Sequence, residues 1–184
     1  AVAGHRAHDD TGLQQRLAQA DASAPAALHR RAATWFEQAQ LLPEALRSAS
    51  AARDPALLAR ILDRAGGWRM VVDGRINLLR THLDQIDDDT LLRFPRLALA
   101  RAAILAKSSA AWQAGTWLER VRQASAGFSD VRCSQAPGFS SAQLDLEARL
   151  TTVVVGWYLD DAPSGGFERD IQALLAHANA VADP

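Results

Sequence analysis

The stretch Phe94-Pro95-Arg96-Leu97-Ala98-Leu99-Ala100-Arg101-Ala102-Ala103-Ile104-Leu105-Ala106-Lys107 decides the fold. Proline is tolerated at the first helical position, where its missing N–H would be unpaired anyway, so Pro95 reads as a helix start. Behind it comes a run dense in alanine, the strongest helix former, with no glycine or second proline before Lys107. Alanine also lets a second helix approach closely, so this segment predicts a helix with neighbours packed against it.

The pattern repeats in both directions. Upstream, Pro25 opens a helix with Leu28, Ala32, Trp35 and Ala39 on one face. Pro43 starts a short helix over 44–52, and Asp54-Pro55 repeats the start signal with Asp54 as N-cap. Leu58, Ile61, Leu62 and Ala65 give that third helix its stripe before Gly66-Gly67 ends it. A brief apolar run, 68–72, is closed by Asp73-Gly74, and Ile76, Leu79, Leu83 and Ile86 form the next face. The run Asp87-Asp88-Asp89 lacks the alternating ligands, central glycine and distant glutamate of a calcium loop, and reads as an N-cap cluster favoured by the helix dipole.

Downstream, 111–126 is a helix whose inner face carries Ala114, Trp117, Val121 and Ala124, and 127–140 is a loop containing Cys133. The segment 141–159 has two apolar stripes, one through Leu144, Ala148, Thr151, Val155 and Tyr158, the other through Leu146, Leu150, Val153 and Trp157. It reads as a helix sandwiched between neighbours, with the β-branched run 151–155 leaving a strand as the alternative. A turn over 162–166 precedes a last stripe of Phe167, Ile171, Leu174, Ala178 and Val181.

Composition bounds what such a chain does. About a fifth of the 184 residues are alanine, 48% are hydrophobic and 22% charged, and the formal net charge is -1. These values argue against disorder and against a strongly basic nucleic-acid binder. Apolar runs are too short for a membrane span, no secretory signal is visible, and a single cysteine permits no internal disulfide, so a cytoplasmic location is expected. There is no Gly-rich phosphate loop, Gly-x-Ser-x-Gly elbow or His-Glu-x-x-His pair. Neither a catalytic residue nor a metal ligand is assigned: His5, His8 and Asp9 read as a tail and Cys133 as an inert thiol.

Helices of this length joined by short turns pack antiparallel. Small residues recur where paired helices would touch: Ala32, Ala33, Ala45 and Ala49, then Ala102, Ala103, Ala106 and Ala114, then Ala148, Ala173 and Ala176. The expected class is all-α, with antiparallel helical hairpins stacked as a tetratricopeptide-like superhelix, an α-α solenoid, over residues 25–184 behind a leader at 1–24. Trp35, Trp117 and Trp157 lie on stripes and read as core. Trp68 and Trp112 sit near helix starts where a ring can face a groove, and Arg69 and Arg75 flank a turn where they can grip an anionic ligand or a partner helix, against the default of solvated arginines. These four are the candidate groove residues.

The segment Leu28-His29-Arg30-Arg31-Ala32-Ala33-x-Trp35-Phe36, followed by Glu44-Ala45-Leu46, Ala49 and Ala52-x-Asp54, resembles the opening of the helical region in MalT-like, LuxR-type ATP-dependent transcriptional regulators. Gly74-x-x-x-x-Leu79-x-x-x-Leu83, then Leu91, Leu92, Phe94-Pro95-Arg96-Leu97-x-Leu99 and Ala102, resembles the family's next hairpins. Leu13-x-x-Arg16-Leu17 is similar to the end of the winged-helix-like segment that precedes this region, making 1–24 its remnant. The resemblance implies a sensor and protein-interaction region that binds a small-molecule inducer or a protein partner, with self-association allowed. It also implies that ATP is held by a separate upstream domain and DNA by a separate C-terminal helix-turn-helix. Two other readings stay open: a free-standing tetratricopeptide-like scaffold for a peptide or protein, and a small helical enzyme, which would need convergent titratable residues that no helical spacing here supplies.

Overall fold

A computed structural model describes residues 24–108, 111–126 and 140–159, with Arg169, Gln172 and Ala176. Among them all regular structure is helical: α1 (24–38), α2 (Leu42–Ala51), α3 (Pro55–Arg64), α4 (Arg69–Val72), α5 (Ile76–Leu83), α6 (Asp88–Leu92), α7 (Pro95–Ala106), α8 (Trp112–Ala126) and α9 (Ser141–Tyr158). None of these helices is long and apolar enough to cross a membrane. Residues 1–23 of the leader, with the metal-like His5 and His8, Cys133, the turn over 162–166 and the final apolar stripe lie outside the described residues. The chain forms two compact units that divide between Leu57 and Leu58, inside α3.

In the first unit α1 and α2 fold back on each other, since Arg30 near the start of α1 meets Asp54 just beyond the end of α2 at 3.0 Å. Gln40 makes the reversal with φ +60, as the Leu41 N–H donates to the Phe36 carbonyl at 2.9 Å. This is a left-handed helix cap without the usual glycine. Asp54 then caps α3, its Oδ1 accepting from the Leu57 N–H at 3.0 Å. Ala33, Ala45, Leu46 and Ala49 are fully buried. The buried face of α1 therefore centres on Ala33, and Leu28, Trp35 and Ala39 are exposed, Trp35 by 60%. The expected stripe was one residue, or about 100°, out of register, because alanines at both 32 and 33 leave the face undecided in sequence.

In the second unit α3 ends as expected at Gly66 (φ +128) and Gly67 (φ +51). Glycine is required at 67, where a Cβ would stand 3.1 Å from that of Arg96. Asp87 caps α6 by accepting from the Thr90 N–H at 2.8 Å, which lowers its carboxyl pKa and gives the acidic run its structural role.

The organising element is α7. Ten of its residues are buried, all but Arg101 and Leu105, and α4, α5, α6, α8 and α9 all pack against it. A helix covered on every side needs small residues, and the alanines of the decisive stretch supply them. Trp117 of α8 reaches across to donate its indole N–H to the Ala98 carbonyl at 2.8 Å. The run 151–155 is helical, and α9 lies antiparallel to α8: Gly115 meets Leu159, and seven residues along α8 Arg122 meets Thr152, seven residues back along α9. Among the described residues only one face of α9 is covered. Its buried face is Glu147, Thr151 and Val155, whereas Trp157 is 56% exposed and Tyr158 is exposed beside it.

Candidate functional site

Arg96 and Glu147 form a deeply buried ion pair, 3% and 5% exposed. Pro95 starts α7, so Arg96 stands in its first turn and points toward the end of α3. Its Nε donates to Glu147 Oε2 at 3.0 Å and its Nη2 to Oε1 at 2.9 Å, a two-pronged contact. The same guanidinium donates to the Gly66 carbonyl at 2.7 Å and to the Asp63 carbonyl at 3.4 Å. One side chain thus caps the end of α3 and fixes α9 to α7. Sequence reading missed both partners. The available signal was Glu147 itself, a charge four residues before Thr151 and eight before Val155 on the inner stripe of α9.

Burial pushes the Glu147 carboxyl above its ordinary value, Arg96 pulls it back and the nearby Asp63 adds to the rise. Since the folded state holds this proton to a higher pH than the unfolded chain, the associated stability is complete below the ordinary glutamate range, about pH 4.3, and is lost as pH rises through the elevated value. The parent should therefore lose stability relative to Glu147→Gln as pH is raised from that range toward neutrality, measured by urea unfolding at a series of pH values. Parallel curves would rule the shift out. His82, whose pKa burial lowers, works in the opposite direction, but it is common to both proteins and cancels in the comparison.

A cavity of about 270 Å³ lies between α7, α8 and α9. Pro95 and Leu99 line it from α7, Leu118, Val121 and Arg122 from α8, and Ser141, Leu144, Asp145, Ala148 and Thr152 from α9. The buried pair ties α9 to α7, two of the three helices that wall the cavity, although neither of its side chains lines it. Apart from Arg122 and Asp145 its walls carry no charge.

None of the four groove candidates lines this cavity. The Trp68 ring turns inward, 8% exposed, because the glycine bend before it carries α4 onto α7, and its Nε1 has no hydrogen-bond partner. Arg69 is exposed and stands 3.8 Å from Asp73, Arg75 is exposed, and Trp112 is 68% exposed at the start of α8. Among the described residues no group of three or more His, Cys, Asp or Glu side chains is placed to hold a metal ion.

Over 75 residues, 41% of the chain, the sequence is 32% identical to the HTH-type transcriptional regulator MalT of Vibrio campbellii. The chain shares partial homology with a transcriptional regulator. The match spans 8% of that relative's length. No protein-family model matches the chain, and no solved structure matches it.

Proposed function

We propose that this chain is the sensor and protein-interaction region of a LuxR-type, MalT-like transcriptional regulator, a tetratricopeptide-like superhelix that binds a small-molecule inducer or a protein partner. In this reading it is a cytoplasmic, non-enzymatic segment that governs DNA binding by a separate helix-turn-helix, and ATP belongs to a separate upstream domain. The observation that carries the reading is the 75-residue similarity to MalT. The all-helical architecture agrees with it, as does a net charge of -1, which gives this piece little attraction for phosphate.

The reading is tested on the whole reading frame that encodes the chain. A Gly-x-x-x-x-Gly-Lys-Ser/Thr loop is expected upstream and a helix-turn-helix downstream. Deleting residues 25–184 from that protein should uncouple a promoter reporter from its inducing condition while operator binding persists. A frame with neither flanking domain would overturn the assignment, as would ATP turnover by the purified chain.

A further inference from the structure

We infer that the cavity between α7, α8 and α9 is a binding site for a compact monocarboxylate, its apolar body seated on Leu99, Leu118, Val121 and Leu144 and its carboxylate held by Arg122 at the mouth. This deepens the sensor reading and rests on it for biological meaning, but the binding itself stands on geometry. A cavity of about 150 Å³ with aliphatic and aromatic walls takes up benzene. At about 270 Å³ this one has room for a single ring or short chain with one substituent, and it falls just below the range of pockets for drug-sized ligands.

The charge of that substituent follows from the two ionised groups in the lining. Asp145 is already taken by Arg149, whose Nε donates to Oδ2 at 2.8 Å. Arg122 is held far less firmly. Its Nη2 lies 3.5 Å from the Thr152 hydroxyl and its Nη1 3.6 Å from Glu119 Oε2, at or beyond the limit of a hydrogen bond. A guanidinium offers five donors in a planar fork that matches a carboxylate with two parallel bonds. Because Arg122 is exposed, the carboxylate stays partly hydrated while the rest of the ligand leaves water, and so avoids the penalty of burying a charge. An ammonium at the same position would face Arg122 and find Asp145 occupied.

Three probes of one shape test the site: benzoate, benzamide and benzylamine, titrated into the chain and followed by calorimetry or ligand-observed magnetic resonance. Saturable benzoate binding is expected, about tenfold tighter than benzamide, with benzylamine weakest. Arg122→Gln, at an exposed position, should weaken benzoate to about the level of benzamide, and circular dichroism should show an intact fold. Ala148→Leu, which fills the apolar floor, should abolish both. The site is disproved if benzoate does not saturate by about 10 mM, if Arg122→Gln binds it as well as the parent does, or if benzylamine is preferred. A frame with ATPase and helix-turn-helix domains whose chain ignores benzoate loses the site and keeps the regulator. Benzoate binding by a chain without those domains keeps the site and loses the regulator.

Discussion

Replacing Arg96 by methionine should remove about 3–5 kcal/mol of stability, because it leaves the Glu147 carboxylate buried with no cation beside it. The loss has two physically distinct parts. One is the uncompensated charge, and the other is the Gly66 carbonyl at the end of α3, which loses one of its two donors, the guanidinium now 2.7 Å away, and keeps the Arg69 N–H. The double variant Arg96→Met/Glu147→Leu separates them. A buried ion pair exchanged for apolar groups of similar volume is often neutral or better, so the double variant should recover the first part. It should remain below the parent by about 0.5–1.5 kcal/mol for the hydrogen bond lost at the Gly66 carbonyl, which keeps the Arg69 N–H at 3.0 Å. Arg96→Lys should also be costly, since an ammonium cannot reproduce the two-pronged contact with Glu147 while reaching Gly66. Urea unfolding of the four proteins followed by circular dichroism measures all of this. If Arg96→Met alone were as stable as the parent, the pair would hold neither α9 nor α3 in place.

The starts and ends of helices were legible in sequence, because they are written in neighbouring residues. Asp54 and Asp87 cap α3 and α6 through amides three residues on, Gly66 and Gly67 stop α3, and Pro95 opens α7. The helical state of 151–155 was legible too, because no turn signal broke the preceding helix-forming run. Orientation was less so. Trp35 and Trp157 sit on sequence-plausible stripes, yet alanines on adjacent faces let α1 choose Ala33, and α9 buries only the line through Glu147, Thr151 and Val155. The Arg96–Glu147 pair spans 51 residues, and no local rule connects its members. The cavity is less visible still, since it exists only where three helices meet. Two of those helices, α7 and α9, are tied by that same unread pair.

The same dependence on α7 makes Trp117→Ala the other large expected loss, about 3–5 kcal/mol. Trp117 is 5% exposed and ties α8 to α7, with α6 linked through the cations above its ring. Its indole donates to Ala98 on α7, and its ring lies under two guanidinium groups, Arg101 of α7 at 5.2 Å and Arg120 of its own helix at 4.8 Å from the centroid. Asp88, at the start of α6, holds both arginines over the ring, Arg120 at 2.7 Å and Arg101 at 3.9 Å. Truncation to alanine removes the filler between α7 and α8 and leaves a void that close-packed alanines on α7 cannot shift to fill. Trp117→Phe keeps most of the volume and should cost about 1–2 kcal/mol, the indole hydrogen bond and part of the cation–π attraction. Asp88→Asn leaves the ring in place and weakens only the clamp over it, so its effect should be below about 1 kcal/mol, as for exposed ion pairs. Unfolding read by far-ultraviolet circular dichroism gives this ranking without using the altered tryptophan as reporter. Equal losses for the phenylalanine and alanine variants would mean that the hydrogen bond and cations, rather than packing, hold α8 against α7.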